Sequence, residues 1–347
     1  MVRPLRLAAL GLLPLLVLLA AAYAAGWFYL AGRVRGEIED WAAARRSAGL
    51  TVGWDRYAIG GFPLALRVTV ERPVLADPTA APGYEARAPL LVGNARPWSP
   101  DDWRLALPEG ASLTVQPGPE RPALAVSAAA LTGRLAPADR LGAPPGRALT
   151  LTADRIAAIM VDRIAIAHAE LHTRIRDRPA PSHLATWLTA EIDLAGIRLA
   201  TAVVPLGTTI DRLATSLAVK DTIPPGPRRQ ALAAWRDDGG TIELRALTLA
   251  WGPLAVAASG TLALDADMQP IGALSATIAG YDGIIDALIV RHAIRPNDGA
   301  LAKLALGLIA KKRPDGTPEL GAPITLQDGA LFLGPARLVR LPRFTWE

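Results

Sequence analysis

The chain has 347 residues, of which 51% are hydrophobic but only 5% aromatic, and its net charge is +5. It contains no cysteine, which excludes disulfides, iron–sulfur clusters, thiolate zinc sites and a cysteine nucleophile. The positive charge is small and spread along the chain, without clusters of cations interleaved with aromatic residues, so the composition argues against nucleic acid as a partner.

The first predicted element is a membrane anchor. Between Arg6 and Arg33 the chain runs from Leu7 to Gly32 without one charged residue. As a helix this stretch would be about 39 Å long, which exceeds the roughly 30 Å hydrocarbon core of a bilayer. Arg3 and Arg6 on the short N-terminal side predict a cytoplasmic N-terminus by the positive-inside rule. We therefore expect an anchor over residues 1–32 and an exported body after it.

A cleaved signal peptide is the alternative interpretation of the same segment. The small residues of Ala22-Tyr23-Ala24 have the spacing that a signal peptidase recognises. The apolar run continues beyond them, however, through Trp27-Phe28-Tyr29, and aromatic residues at that point suit the far interface of a retained helix. We favour the anchor, and both interpretations export the body.

After the anchor, the hydrophobic pattern changes from helical to extended. Residues 33–50 predict a short helical stalk, and from Thr51 onward apolar residues recur at every second position. Between Phe62 and Glu71 every even position is a large hydrophobe, which is typical of a half-buried antiparallel strand. The same alternation recurs at 112–116, 149–154, 190–199, 261–268 and 274–278. It slips by one residue at Ala195-Gly196, where a glycine suits a bulge.

Turn-forming dipeptides between these segments favour hairpins over crossovers. Asp238-Gly239-Gly240 and Asp328-Gly329 are typical of tight hairpins. Helical spacing returns in three places: 210–217, 232–235, and the pair 284–290 with 301–309. We expect a mainly β fold in which an extended, mostly antiparallel sheet carries a few packed helices.

We divide the exported body into two β-rich halves that would be similar to each other. The first covers residues 51–222 and the second covers residues 223–347, including the C-terminal helices. The boundary lies in the proline-rich stretch from Thr222 to Pro227.

The sequence identifies no catalytic, cofactor-binding or metal-binding residue, and it implies no cofactor. His168-Ala169-Glu170-Leu171-His172 has its glutamate in the wrong position for a zinc metalloprotease helix. It also alternates as a strand, which would separate the two histidines by roughly 13 Å, too far to bind one ion. Ser216 and Lys220 miss the Ser-x-x-Lys spacing by one residue.

The one site that we predict is an apolar face of the sheet. An aliphatic, concave face that is left open would be a groove suited to acyl chains. The period-two strands of both halves supply its candidate residues: Phe62, Leu64, Leu66, Val68, Val70, Leu262 and Leu264.

Several motifs together resemble a bacterial family known as domain of unknown function 2125. They are Gly61-Phe62-Pro63-Leu64, Trp251-Gly252-Pro253, Gly260-Thr261-Leu262 with Asp265, Asp328-Gly329 and Leu341-Pro342. The resemblance spans nearly the whole exported part and implies a single N-terminal anchor and a periplasmic β-rich body in alphaproteobacteria, with no known activity. The layout is also similar, more loosely, to AsmA-like envelope proteins, which are associated with lipid traffic and outer-membrane assembly.

These observations lead to three functional expectations. The first is a non-enzymatic inner-membrane protein whose periplasmic sheet binds lipid or another envelope component. The alternatives are a periplasmic hydrolase with an unrecognised site and a scaffold of a membrane complex. An open apolar trough favours lipid, a closed pocket with converging carboxylates and histidine favours an enzyme, and a fully packed sandwich with one exposed patch favours a scaffold. The expected partners are the inner membrane and lipid or other envelope proteins.

Overall fold

The computed structural model describes residues 3–80, 82–118, 122–138, 145–160, 162–203, 206–290, 294–312, 318–334, 336–344 and 346. Within these ranges the chain forms a long N-terminal helix, a 21-stranded sheet and three shorter helices. The mainly β fold predicted from the alternating pattern is therefore confirmed.

Helix α1 (Arg3–Ser47) is one uninterrupted helix of 45 residues, so the predicted anchor and stalk are continuous. The stretch from Pro14 onward is long and apolar enough to cross a membrane. Its leucines and valine from Leu15 to Leu19 are each more than half exposed, as expected for side chains that face lipid rather than a protein core.

The first ten strands form five long strands, each interrupted by a bend of one to three residues. Their bounds are β1 (Thr51–Gly53) with β2 (Arg56–Gly60), β3 (Leu66–Glu71) with β4 (Val74–Asp77), β5 (Gly83–Arg87) with β6 (Leu90–Arg96), β7 (Ser99–Leu107) with β8 (Ala111–Gln116), and β9 (Leu124–Ala128) with β10 (Ala130–Pro137).

The rest of the sheet is built from longer strands with three helices between them. The elements are β11 (Gly146–Ile159), β12 (Arg163–Arg176), β13 (Thr186–Val203), β14 (Gly207–Lys220), α2 (Arg228–Asp237), β15 (Ile242–Trp251), β16 (Leu254–Leu264), β17 (Pro270–Ala279), α3 (Tyr281–Val290), α4 (Pro296–Ile309), β18 (Lys311–Lys312), β19 (Pro318–Gln327), β20 (Ala330–Leu333) and β21 (Ala336–Arg340).

All described pairings are antiparallel, and the long strands pair in chain order as a meander. β17 pairs directly with β19. The two-residue strand β18, which follows the α3–α4 insertion, also pairs with β19. β14 pairs with β15 across the predicted boundary at residue 222, so the two predicted halves share one continuous sheet.

Two predicted elements were wrong. The segment 210–217 is not a helix but lies in β14, where hydrogen bonds to β13 and β15 override a spacing that fits both periods. Phe62 and Leu64 do not belong to a strand, because β3 begins only at Leu66. They lie in a turn in which the Ala65 N–H donates to the Gly61 carbonyl at 2.9 Å.

The bends of neighbouring strands are aligned, so the sheet has a crease across its strands. Arg72, Gly110, Arg155 and Gly196 have left-handed φ angles of +48°, +83°, +48° and +62° on this line. The register is the same on both sides of Gly196 in both of its pairings. Gly196 is therefore a bend and not the inserted residue of the predicted bulge.

The buried core of the described residues is small. One cluster joins Trp27 of α1 to Leu66 and Ala95 of the sheet, and a second joins Tyr281 and Ile285 of α3 to β19. The accessible surface is 21,845 Å², whereas a compact monomer of this size would expose about 13,500 Å². The protein is thus an extended sheet with packed ends.

Candidate functional site

One face of the sheet carries side chains that are apolar on strand after strand. Directly paired residues of antiparallel strands point to the same face, so the register traces this face through the sheet. A first row runs through Val68, Gly93, Leu105, Gly133, Leu151, Leu171, Ile192, Thr215, Leu247, Ala258, Ala276 and Ala322. Thr215 is the only polar member of this row.

A second row lies beside the first on the same face. It runs through Leu107, Leu131, Ala153, Ala169, Leu194, Leu213, Leu249, Val256, Ile278 and Leu320 without a polar residue. We call these two rows together the apolar face. At about 4.8 Å per strand, the first row extends for roughly 50 Å along the sheet.

The predicted site residues divide into two groups. Leu66, Val68 and Val70 lie on the apolar side of β3, and Leu262 and Leu264 share the side of Ala258 on β16, so the register brings these five onto one face. Phe62 and Leu64 are not part of it, because they lie in the turn before β3, where they are 50% and 69% exposed.

The first strand of the apolar face is covered by α1. Leu66 is completely buried in the cluster with Trp27 and Ala95, and Val68 and Val70 are also buried. Leu66 is therefore a packing residue between the helix and the sheet. The open part of the apolar face lies farther along the meander than the predicted residues of β3.

The middle strands keep their apolar side chains partly exposed. Leu151, Leu171, Ile192 and Leu247 are half-buried, and neighbouring side chains on the same face account for such partial cover. The helices contact the ends of the row, with α1 against β1 and β2 and with α3 and α4 against β16 and β19. An open apolar surface thus lies between two helix-covered ends.

The opposite face is polar and carries cross-strand ion pairs. Arg134 forms a two-pronged pair with Asp102 at 2.8 and 2.9 Å, and Arg212 pairs in the same way with Asp193. In each case the hydrogen-bonded guanidinium lowers the pKa of the carboxyl group. This face is consequently adapted to solvent, in contrast to the apolar face.

The two histidines of the predicted polar strand face lie on this solvated side. His168 contacts Asp154 at 2.7 Å through Nδ1 and Glu170 at 3.1 Å through Nε2, and Glu170 also approaches His172 at 3.5 Å. The hydrogen bonds from Asp154 and Glu170 raise the pKa of His168. Hydrogen bonds with His168, and to a smaller extent with His172, lower the pKa of Glu170.

This histidine cluster lacks the geometry of a hydrolytic site. Ser216 and His172 both line a shallow depression on the polar side. Their strands are separated by β13, because His172 pairs with Glu191 and Glu191 with Ser216. Two strand spacings amount to roughly 10 Å, beyond hydrogen-bonding reach. Among the described residues, no group of three or more histidine or acidic side chains is placed to hold a metal ion.

The middle residues of the apolar face were missed by reasoning from the sequence. Leu171 belongs to the alternating segment around His168, where the polar residues of the other face resemble a metal-binding motif. Leu247 precedes Thr248 in a plain alternating strand. Both residues could have been identified by aligning the alternating patterns of successive strands as in a meander.

A family model matches most of the chain. The model of a family described as uncharacterized proteins conserved in bacteria, domain of unknown function 2125, matches residues 27–342. No curated protein and no solved structure matches the chain. The matched region starts at Trp27, the helix residue that packs against the sheet.

Proposed function

The chain belongs to the DUF2125 family, whose description assigns no activity, and we propose that it is a membrane-anchored envelope protein whose apolar face binds the acyl chains of lipids. The single observation that carries this proposal is the partly exposed apolar face of the middle strands. Leu151, Leu171, Ile192 and Leu247 lie in line on it, opposite a face of ion pairs.

The size of the apolar face suits an acyl chain. Such a chain could lie along the two rows and cover leucine and isoleucine side chains on several strands. Each methylene group removed from water contributes about 0.8 kcal/mol, so about ten of them contribute roughly 8 kcal/mol before the cost of ordering the chain. Binding of this kind depends on the burial of apolar surface and needs no arrangement of polar side chains on this face.

We place the body in the periplasm and the anchor in the inner membrane. Arg3 and Arg6 at the N-terminal end of α1 support this orientation through the positive-inside rule. The absence of cysteine is compatible with an oxidising compartment. Lipid taken up from the inner membrane would then be held by the periplasmic sheet.

The test is photo-crosslinking in living cells from two adjacent positions. Benzoylphenylalanine replaces Leu247, on the apolar face, or Thr248, which is exposed on the other face of the same strand. We expect lipid adducts, identified by mass spectrometry of the isolated protein, from position 247 and not from position 248. Adducts that are equal at the two positions, or absent at both, would contradict the proposal.

The same experiment separates the alternatives. Adducts from position 247 to a defined protein and not to lipid would favour a scaffold whose partner covers the apolar face. A hydrolase has less support, because the serine and histidine of the polar depression lie on strands that are not neighbours.

A further inference from the structure

A second apolar surface lies at the end of the sheet next to α1. It consists of Phe28 and Tyr29 of the helix, Phe62 and Leu64 of the turn before β3, and Trp98 of the turn between β6 and β7, and we call it the hairpin edge. These five side chains are 50% to 70% exposed. Exposed aromatic and aliphatic side chains of this size, grouped together, mark an interaction surface.

The two turns lie at the same end of neighbouring strands. Leu66, the first residue of β3, is paired with Ala95 of β6, and the turn with Trp98 follows directly after Arg96. Phe62 and Trp98 therefore extend from adjacent hairpins beyond the end of the sheet.

The turn before β3 is fixed to α1 by several contacts. The Tyr23 hydroxyl donates to the carbonyl oxygen of Pro63 at 2.5 Å, and the Trp27 indole donates to that of Ala65 at 2.9 Å. Phe62 is edge-on to Trp27 at 5.5 Å and stacks on Phe28 at 5.8 Å between ring centres. The height of the turn along the helix axis is thus set by residues 23–28.

That height coincides with the far boundary of a bilayer. The uncharged segment begins at Leu7, and the twenty residues from Leu7 to Gly26 extend about 30 Å as a helix, which equals the hydrocarbon thickness. Trp27, Phe28 and Tyr29 then lie at the interface, where aromatic residues are enriched in membrane proteins.

Charges of both signs lie beside the two turns, with Asp101 and Asp102 following the turn of Trp98 on β7. Arg67 follows Leu66 and Arg96 precedes the turn of Trp98, and both guanidinium-bearing residues are exposed. Both lie on the polar face, since Arg67 pairs with Asn94, two residues before Arg96. Cations at this position can reach lipid phosphates while the apolar side chains remain in the acyl region.

We propose that the hairpin edge is inserted in the periplasmic leaflet of the membrane that α1 spans. The inference rests on the proposed anchorage and specifies where lipid reaches the sheet. Val68 of the first row lies two residues beyond Leu66, so the apolar face begins directly above the leaflet. The open middle strands follow farther along the same row, beyond the strand that α1 covers.

The experiment uses the full chain, which has no native cysteine to remove. Leu64→Cys and Trp98→Cys report on the hairpin edge, and Leu308→Cys, an 81% exposed leucine of α4, is the matched control. Each variant is labelled with an NBD fluorophore and reconstituted into phosphatidylcholine–phosphatidylglycerol vesicles that contain brominated lipid. We expect blue-shifted emission and quenching by the brominated lipid at positions 64 and 98, and neither effect at position 308.

Two other results would overturn the inference, and they differ in their consequence for the proposed function. If carbonate extracts the chain from the vesicles, the anchorage and the inference both fail. If the chain resists carbonate but the label at position 64 has the unshifted, unquenched emission of position 308, the hairpin edge is in water and the inference alone fails.

Discussion

The indole N–H of Trp27 donates a hydrogen bond of 2.9 Å to the carbonyl oxygen of Ala65, and the Trp27 side chain is buried against Leu66. One side chain of α1 thus closes the turn before β3 and covers Leu66 on the first strand of the apolar face. Helix α1 is therefore part of the fold of the body.

Replacement of Trp27 tests this coupling. Trp27→Phe keeps an aromatic ring but removes the donor, which leaves the partly buried carbonyl of Ala65 unpaired. We expect a loss of about 1–2 kcal/mol in the free energy of unfolding, measured by thermal unfolding of the full chain in detergent. Trp98→Phe is the control, because Trp98 is 60% exposed, and a change within about 0.5 kcal/mol is expected there. Equal effects of the two variants would argue against the coupling.

Truncation of two leucines on the same face distinguishes packing from an open surface. Leu66→Ala removes a completely buried side chain and should cost about 2–5 kcal/mol. Leu247→Ala removes a half-buried one, where the surroundings are already open, so we expect less than half of that loss. Denaturant unfolding of both variants provides the comparison. A Leu247→Ala variant as unstable as Leu66→Ala would mean that another layer covers the middle strands.

The period-two pattern was sufficient to predict the antiparallel sheet, and the helices at 232–235, 284–290 and 301–309 agree with α2, α3 and α4. Each of these features depends on residues close together in the chain. The helix predicted at 210–217 was wrong because the apolar spacing of this segment fits both a helix and a strand. Hydrogen bonding to β13 and β15 stabilises the strand. Such long-range pairing is not encoded in local spacing.

The extent of the apolar face could not be predicted for the same reason. The alternation indicates which residues of one strand share a side, but joining Leu151 to Leu171 and Leu247 requires the register of every intervening pair. The cover of Leu66 by Trp27 is also a tertiary contact. The helical spacing at 301–309 is a related case: Leu301, Leu304 and Leu308 are exposed, and α4 packs through Ala302 and Leu306 instead.

The crease requires a residue without a side chain at position 196. Its φ of +62° is left-handed, and a Cβ there would lie 2.9 Å from the Cβ of Ala167. We expect Gly196→Ala to lower the free energy of unfolding by about 1–2 kcal/mol. In Gly321→Ala, on β19, a Cβ would meet nothing within 4 Å and φ is not left-handed, so this control should retain wild-type stability. Circular dichroism melts measure both variants, and a Gly196→Ala variant as stable as Gly321→Ala would contradict this prediction.

The histidine cluster predicts a weak dependence of stability on pH. The pKa of His168 is raised above its ordinary 6.5 by Asp154 and then Glu170, so its contribution is complete below pH 6.5 and is lost as the pH rises through the folded-state pKa. The pKa of Glu170 is lowered below 4.5 by His168 and then His172, so its contribution is lost as the pH falls through its folded-state pKa. The cluster is therefore most stabilising between about pH 4.5 and 6.5.

His168→Gln provides the check on that window. The melting temperature of the wild type should fall as the pH rises from 6 to 8, and the substitution should reduce this slope. His183→Gln, a change at an exposed loop histidine outside the cluster, serves as the control and should leave the slope unchanged. Because the cluster side chains are 40% to 49% exposed, we expect the effect to be small and to diminish further at high salt. An unaltered slope in His168→Gln would remove the cluster from the pH response.

The last prediction concerns the integrity of the N-terminus. Cleavage after Ala24 would make Ala25 the first residue and would place Trp27 in the first turn of a new helix, where backbone N–H groups have no partners and the end frays. It would also remove Tyr23, which holds the Pro63 carbonyl. Because Trp27 forms the core cluster with Leu66 and Ala95, a fold that depends on this cluster requires a helix continuing through residue 24. Intact-mass measurement of the membrane fraction should therefore give a chain that retains residues 1–24, and a mature chain beginning at Ala25 would refute the retained anchor.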